Sequence, residues 1–221
     1  MTPTTTDKLC YIYIHVCCIH NYAEVFKHLI RGIKSSGLYD ITKEIRCCVL
    51  GNCDESLFVD DKIKILEHSP DLSLHEAFTL NRLRLDSMEE EFNVLYLHTK
   101  GITRPGDPYV QHWVDYMCYF NIYRHAVCLK VLETNDTVGV NMGDLPECHY
   151  SGNFWWAKSS YIKKLELCKI VRYTDPEMWL LKSKTGRYAC LWRSGCNHYH
   201  TLYPPVEYEN KPIHGYIFDC T

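Results

Sequence analysis

The sequence predicts a single α/β domain in which helices flank a mixed central sheet. Apolar, strand-like runs alternate with amphipathic helical segments over residues 8–101, and most of these runs are apolar throughout rather than at every second position. Continuous apolar strands are typical of a sheet that is covered on both faces. The length of 221 residues and the hydrophobic content of 46% are sufficient for one such core.

Residues 8–101 are predicted to form a nucleotide-binding half with four strands and two helices. The strands are predicted at residues 9–19, 44–52, 62–69 and 92–98. One helix is predicted at 22–37, where the apolar side chains share one face and Gly37 ends the pattern. A second helix is predicted at 72–91, with Leu85 among its apolar side chains. This order predicts right-handed crossovers that place helices on both faces of the sheet.

Residues 102–221 have a looser, aromatic-rich pattern and are predicted to form the second half of the domain, which the resemblance described below assigns to the acceptor and catalysis. A long amphipathic helix is predicted at 110–134, a strand at 137–142, and a short helix that begins at Pro176. No repeat or low-complexity linker separates the two halves. We therefore expect residues 1–221 to be one domain, either alone or within a longer chain.

Charge and cysteine placement limit the class of protein. The formal net charge of −3 leaves no basic stripe for a nucleic acid. The pairs Cys17–Cys18 and Cys47–Cys48 lie in strand-like runs, where we expect buried thiols rather than a disulfide scaffold. With no leader sequence, this pattern predicts a reducing, cytoplasmic location. No apolar run approaches the roughly 18 residues of a membrane span.

Several well-known catalytic motifs are absent. The chain has no Walker loop, no G-x-G-x-x-G after the first strand and no G-x-S-x-G, which disfavours phosphoryl transfer by a P-loop, dinucleotide redox chemistry and the α/β-hydrolases. A structural zinc site is kept as an alternative because Cys190, Cys196, His198 and His200 are close in sequence, although no C-x-x-C pair is present.

The strand "FNVLYLH" and the turn "TKGI" after it resemble the strand end that holds the donor in GT-A glycosyltransferases. In that Rossmann-like fold the strand ends in Asp-x-Asp, and here His98 and Lys100 occupy the two aspartate positions. The segments "VLYLHTKGI", "HYSGNFWWAKSSYIKKL" and "DPEMWLL" resemble a small family of glycosyltransferases that occurs in large algal viruses and in some bacteria. The resemblance is closest to chlorella-virus members, for which it implies a role in capsid glycan synthesis. The similarity covers roughly residues 8–205 and, for a viral member, implies the host cytoplasm.

The resemblance implies a donor site at the strand ends. Lys100 would be a fixed cation beside the diphosphate of the donor, and His98 a metal ligand or a hydrogen-bond donor. Arg82 would contact the donor from the preceding helix. Val16, at the end of the first strand, would line the base pocket, and Asp54 would bind uracil or ribose. A solvated lysine and a packed histidine are the structural alternatives for Lys100 and His98.

The resemblance also implies a divalent cation, Mn²⁺ or Mg²⁺, on the donor diphosphate. His98 is one expected ligand. His198 is the other, because some GT-A families use a histidine near the carboxyl end of the domain. Such cations need few protein ligands when a diphosphate supplies oxygen atoms.

The turn "YSGN" and the tryptophans after it are the expected acceptor site. Ser151, Gly152 and Asn153 form a turn whose backbone amides can approach a ligand closely. Trp155 and Trp156 follow, and because strand neighbours point in opposite directions, one of them would face the cleft and stack on a sugar ring. The alternative is that both tryptophans belong to the core.

A catalytic base is expected at the start of the short helix near residue 176. An inverting transfer needs a carboxylate within hydrogen-bond reach of the acceptor hydroxyl. Glu177 is the first candidate and Asp175 the second, while capping of the helix is the alternative for both.

The resemblance implies a metal-assisted glycosyltransferase that moves a hexose or deoxyhexose from a UDP-sugar to a glycan acceptor. The first alternative is a non-catalytic domain of the same fold that binds a carbohydrate or a nucleotide sugar. The second is a nucleotide-sugar hydrolase or a phosphotransferase.

Overall fold

The computed structural model describes residues 8–183, 185–213 and 216–218, the last of these for the backbone alone. The strands in chain order are β1 (Leu9–Cys17), β2 (Glu44–Leu50), β3 (Ile63–Ser69), β4 (Phe92–His98), β5 (Thr137–Gly139), β6 (Met142–Gly143), β7 (His149–Tyr150), β8 (Trp155–Lys158), β9 (Tyr188–Cys190) and β10 (Tyr216–Phe218). The α-helices are α1 (Tyr22–Ser35), α2 (Leu38–Ile41), α3 (Ala77–Glu89), α4 (Pro108–Cys118), α5 (His125–Leu132), α6 (Ser159–Ile162) and α7 (Asp175–Trp179).

Within these residues the main sheet has eight strands in the order β10-β9-β5-β8-β4-β1-β2-β3. β1 pairs in parallel with both β2 and β4, while β8 is antiparallel to its neighbours β4 and β5. The chain moves outward from β1 to β2 and β3, and then returns to the other side of β1 to form β4. The strand order therefore reverses between β1 and β4, and a crevice is expected at their carboxyl ends.

The two faces of the sheet bury different side chains of the same strands. Ile12 and Ile14 of β1 pack into a cluster with α1 and α4, while Tyr11 and Tyr13 pack into a second cluster with α3. All four side chains are fully buried. Because successive strand residues point to opposite faces, a β1 that is apolar at every position needs a layer of helices on each side. The predicted mixed α/β domain with flanking helices is thus confirmed.

The segment predicted as one long helix at 110–134 is instead divided. A π-helical turn, Tyr119–Tyr123, separates α4 from α5. The wider turn leaves the carbonyl of Asn121 available, and Trp156 donates its indole N–H to that oxygen at 2.8 Å. The π-helical turn between α4 and α5 is thus hydrogen-bonded to β8.

Two other predicted elements differ in their limits. The helix predicted at 72–91 begins only at Ala77, after a separate 3₁₀ turn at Leu72–Leu74, and the side chain of Leu85 is 54% exposed. The strand predicted at 137–142 ends at Gly139 because Asn141 has a φ of 48°, which breaks the extended path before β6.

The cysteines divide into two groups. Cys47 and Cys48 are buried thiols in β2, as the sequence predicts, whereas the thiols of Cys17 and Cys18 are only partly buried. Cys148 is disulfide-bonded, which the sequence did not indicate. In the part of the chain that the structure describes, no helix has both the length and the apolar composition to cross a membrane.

Candidate functional site

A cleft of about 440 Å³ lies at the carboxyl ends of β1 and β4, where the strand order reverses. Its walls come from those two strand ends, the start of α3, the turn between β7 and β8, and the start of α7. We call it the switch-point cleft. Its polar lining includes Glu76, His98, Lys100 and Glu177. Ligands of open α/β sheets bind in such a place, and we therefore treat the cleft as the candidate site.

The turn after β4 fixes the position of Lys100. The hydroxyl of Thr99 accepts from the backbone N–H of Cys17 at 3.1 Å, while the backbone N–H of Lys100 donates to the carbonyl of His98 at 2.7 Å. Gly101 has a φ of 89° and packs closely against Val110, so a side chain at position 101 would be both strained and crowded. The lysine side chain is thus held at the strand end rather than on a free loop.

Lys100 is a partly enclosed cation on an aromatic wall. Its Nζ lies 3.9 Å from the ring centroid of Trp113, a distance typical of a cation–π contact. Burial lowers the pKa of the ammonium group, while Glu177 and Glu76 act in the opposite direction. The ammonium group thus lies in the cleft against an aromatic ring, where it is a suitable partner for an anionic ligand.

His98 is oriented by the turn between β7 and β8. Its Nε2 donates to the carbonyl oxygen of Gly152 at 3.0 Å, which leaves Nδ1 as the nitrogen with a lone pair. Burial, together with the charge of Lys100, lowers the pKa of His98 to about 3. The imidazole is therefore neutral at physiological pH, and its Nδ1 is a hydrogen-bond acceptor or a metal ligand.

Glu76, which the sequence reasoning missed, precedes α3 and lines the same cleft. One carboxylate oxygen, Oε2, accepts from the hydroxyl of Tyr96 at 2.8 Å and from Nδ2 of Asn153 at 2.7 Å. The other oxygen, Oε1, lies 3.6 Å from Nδ1 of His98. Its position could have identified Glu76 from the sequence, because it is a charged residue that follows the third strand and so lies near the carboxyl edge of the sheet.

Glu177 lies in the first turn of α7 and also faces the cleft. Its Oε1 accepts from the backbone N–H of Gly152 at 2.6 Å. Thus the two backbone groups of Gly152 bind two different functional side chains, Glu177 through its N–H and His98 through its carbonyl. Gly152 has a φ of 92°, and a side chain there would collide with Sδ of Met117.

Asp175 does not line the cleft and is occupied by its own loop. It accepts from the backbone N–H groups of Val171 and Arg172 at 2.8 and 2.7 Å and forms an ion pair with the Arg172 side chain. These hydrogen bonds lower its pKa to about 2. The oxygens of Asp175 thus bind the backbone that leads into α7, and of the two candidate bases it is Glu177 that lines the cleft.

The expectation that one tryptophan faces the cleft is also wrong. Trp155 and Trp156 are both buried, with 1% and 0% of their surfaces exposed. Trp155 stacks on Tyr96 and donates to Oδ1 of Asn153, whereas Trp156 is the donor to the π-helical turn. Trp155 thus supports the turn between β7 and β8 through Asn153, while Trp156 ties β8 to the π-helical turn on the opposite face of the sheet. Of the turn between β7 and β8, Gly152 and Asn153 line the switch-point cleft, and Ser151 lines a neighbouring cavity.

Three residues that were expected to bind the donor do not line the switch-point cleft. Arg82 forms ion pairs with Glu67 and Asp86 on the outer face of α3, so its guanidinium is neutralised away from the cleft. Val16 is fully buried in the core, and its neighbours on β1, His15 and Cys17, line the cleft instead. The alternation of strand side chains explains this exchange.

Asp54, the third, is exposed and caps a 3₁₀ turn. Its carboxylate accepts from the backbone N–H and the hydroxyl of Ser56, at 3.0 and 2.7 Å. These two hydrogen bonds lower the pKa of Asp54. Conversely, Arg104 was missed: it lines the cleft, with its guanidinium 4.9 Å from the ring centroid of Tyr199.

His198 lines the neighbouring cavity, of about 290 Å³, rather than the switch-point cleft. Its ring stacks on Trp113 and Tyr116, and its Nε2 is 2.8 Å from both Asn141 Nδ2 and Ser194 Oγ. The predicted metal pair of His98 and His198 is therefore not formed. Among the described residues, no group of three or more His, Cys, Asp and Glu is placed to hold a metal, and this covers the zinc cluster considered from the sequence.

We predict that stability decreases as the pH is lowered because of His15. Its side chain is 4% exposed, and burial lowers its pKa to about 4 from an ordinary value of 6.5. Between these two values the unfolded chain binds more protons, so the folded state loses stability as the pH falls. At about pH 5 the loss from His15 should be about 1–2 kcal/mol.

Urea unfolding at about pH 7.5 and about pH 5 measures this effect. His15→Asn, which keeps a polar group near Thr79 Oγ1, should reduce the difference between the two pH values, while His200→Asn at an exposed position should not. An unchanged pH dependence in His15→Asn would contradict the assignment.

Comparison with known proteins gives one family. A family model described as "Domain of unknown function (DUF8361)" matches residues 50–176, which is more than half of the chain. The matched range contains Glu76, His98, Lys100 and Gly152, and it ends one residue before Glu177. No curated protein matches the chain.

Proposed function

The chain belongs to the DUF8361 family, a family of unknown function, and we propose that it is a glycosyltransferase that moves a hexose or deoxyhexose from a UDP-sugar to a glycan acceptor. One observation carries this proposal: an enclosed cation, Lys100, and a carboxylate, Glu177, face the same cleft at the point where the strand order reverses. Transfer from a nucleotide sugar needs a positive charge for the leaving diphosphate and a base for the acceptor. The mixed sheet, with antiparallel β8 beside β4, supports a GT-A fold for this enzyme.

In the proposed reaction, the bond between the anomeric carbon and the diphosphate oxygen breaks, and the diphosphate leaves with the bonding electron pair. Lys100 is positioned to neutralise the charge that grows on that oxygen, and Arg104 provides a second, more exposed cation. The acceptor hydroxyl attacks the anomeric carbon, and Glu177 takes its proton. The hydrogen bond from Gly152 N–H holds one carboxylate oxygen of Glu177, so the other is the proton acceptor.

The divalent cation that the resemblance implies is part of the proposal. The described residues offer two unshared lone pairs that face each other in the cleft, on Nδ1 of His98 and Oε1 of Glu76. An imidazole nitrogen and a carboxylate oxygen are suitable ligands for Mn²⁺, and the donor diphosphate would complete its coordination. Such an ion would act as a Lewis acid on the diphosphate.

Thermal unfolding with added UDP, GDP or CMP, each with Mn²⁺ and with EDTA, tests the proposal. A ligand at a hundredfold excess over its Kd stabilises the folded state by about 2.7 kcal/mol, which corresponds to a rise in Tm of about 5–10 °C for a chain of this size. We expect such a rise with UDP and a smaller one with CMP. If no nucleotide raises Tm under either condition, the proposal is wrong.

A domain of the same fold that only binds a nucleotide sugar would show the same rise in Tm with UDP, but it would not transfer a sugar. UDP release from UDP-glucose or UDP-galactose in the presence of a mixture of methyl glycosides separates the two functions. Release that depends on the glycosides supports a transferase, and nucleotide binding without release supports a domain that only binds.

A further inference from the structure

We infer that the neighbouring cavity, the space of about 290 Å³ that Ser151 and His198 line, binds the second sugar of an oligosaccharide acceptor. The terminal sugar of that acceptor lies in the switch-point cleft, within reach of Glu177. This inference rests on the proposed function and specifies the class of acceptor: a glycan of at least two sugars rather than a single sugar.

The position of the neighbouring cavity carries the inference. Trp113 and Tyr199 line both the cavity and the switch-point cleft. The turn between β7 and β8 also passes from one to the other, because Ser151 lines the cavity and Gly152 lines the cleft. Since Gly152 donates its backbone N–H to Glu177 at 2.6 Å, the cavity begins one residue away from the group that holds the proposed base.

The size of the cavity and the exposure of its rim fit an internal sugar of a chain. A volume of about 290 Å³ is at the lower end of small-molecule sites, which measure about 300–1,000 Å³, so one sugar ring suits it better than a nucleotide does. Arg193, Asn197 and Tyr199 on its wall are exposed. Further sugars of a longer glycan can therefore continue into solvent.

The side chains on the wall of the cavity match the groups of a sugar. The amide of Asn197 and the hydroxyl groups of Ser151 and Ser194 can donate and accept hydrogen bonds, as sugar hydroxyl groups do. Tyr199 adds an aromatic ring that is 47% exposed, and such rings pack on the apolar face of a pyranose. Among the described residues that line the cavity, none is acidic.

The inner wall of the cavity is held in place by its own hydrogen bonds. Nε2 of His198 lies 2.8 Å from both Nδ2 of Asn141 and Oγ of Ser194. On the rim, Oδ1 of Asn197 accepts from the backbone N–H of Tyr199 at 3.0 Å. Binding of a sugar therefore orders few additional groups, which favours affinity. His198, which was expected to bind a metal, instead belongs to this wall.

The contact between Ser194 and His198 supports binding rather than a second catalytic centre. Oδ1 of Asn141 accepts from the backbone N–H of Ser194 at 2.8 Å, so its Nδ2 is the atom that faces His198. That N–H donates to the lone pair of Nε2, the same lone pair that a base would need in order to take the proton of the serine hydroxyl. The pair therefore lacks the arrangement of a nucleophile and its base.

Chemical-shift titration in NMR spectra of the protein, with and without saturating UDP, tests the inference. The probes are methyl cellobioside, methyl maltoside and methyl lactoside, each compared with the methyl glucoside or methyl galactoside of its terminal sugar. We expect at least one disaccharide to bind with a Kd at least about tenfold lower than that of its monosaccharide counterpart, because only the disaccharide reaches the neighbouring cavity.

Two variants locate the second sugar. Asn197→Asp keeps an oxygen that accepts from the backbone N–H of Tyr199 but lacks the amide donor, and Ser151→Ala removes a hydroxyl group from the wall. Each should reduce the preference for the disaccharide about three- to tenfold and leave the Kd of the monosaccharide unchanged. Thermal unfolding verifies that each variant is folded.

Asn210→Asp is the matched control, because Asn210 is exposed and lines neither the cavity nor the cleft. It should keep the full preference. No preference for any disaccharide, or a preference that persists in both variants, would overturn the inference. If UDP binds and no disaccharide is preferred, the cavity site is wrong and the proposed function stands; if a disaccharide is preferred and UDP does not bind, the cavity is a sugar site and the proposed transfer is wrong.

Discussion

Replacing Glu177 with glutamine should lower the rate of sugar transfer by about 10²- to 10⁴-fold, the contribution typical of a general base, while UDP binding is retained. Glutamine has nearly the same shape, and its amide oxygen can still accept from the backbone N–H of Gly152, so the start of α7 should keep its structure. What it lacks is the ability to take a proton. The measurement is UDP release from UDP-glucose or UDP-galactose with glycoside acceptors, together with UDP binding by calorimetry.

The matched control is Glu24→Gln, because Glu24 is also in the first turn of a helix but is exposed and does not line the cleft. It should leave both the rate and the UDP affinity unchanged. Loss of UDP binding in Glu177→Gln would mean that Glu177 supports the donor site rather than the proton transfer. An unchanged rate would exclude Glu177 as the base.

The second large effect is expected for Lys100→Met. Methionine is apolar and similar in length, so it can pack against Trp113 at the place where the lysine Nζ lies, but it carries no charge. Loss of a fixed positive group at a developing negative charge typically lowers kcat by about 10²–10³-fold. We expect a decrease of this size in UDP release, and weaker UDP binding that depends less on ionic strength than in the unaltered protein.

Lys130→Met serves as the control, since Lys130 is exposed on α5 and pairs with Glu133. Lys100→Arg, which keeps the charge but changes its shape, should recover part of the lost rate. If Lys100→Met releases UDP at the original rate, the leaving diphosphate does not use this cation.

The strand ends could be predicted from the sequence because the signal is local. β1 and β4 are runs of buried apolar residues, and the polar residues that follow, including His98 and Lys100, necessarily lie at the carboxyl edge of a parallel sheet. Glu177 could be predicted for a similar reason, because Pro176 marks the start of its helix. These positions need no knowledge of distant parts of the chain.

The partners of these residues depend on contacts between distant segments, which a single sequence does not encode locally. Glu76 meets Asn153, 77 positions later in the chain, and the pairing of β4 with β8 brings them together. The two tryptophans of β8 have the composition of a sugar-binding platform, but β8 is an inner strand, so helices cover both of its faces. Arg82 has the charge of a donor ligand, yet acidic neighbours on α3 and β3 neutralise it.

The two backbone groups of Gly152 have a consequence for how the two sides of the proposed reaction influence each other. His98 binds the carbonyl of Gly152 and Glu177 binds its N–H, so the proposed donor and acceptor sides are held by two peptide groups that meet at a single α-carbon. Free-energy changes from substitutions at His98 and Glu177 should therefore be non-additive, with an interaction energy of about 0.5–3 kcal/mol in a double-mutant cycle. In kinetic language, the apparent affinity for one substrate should depend on whether the other is already bound.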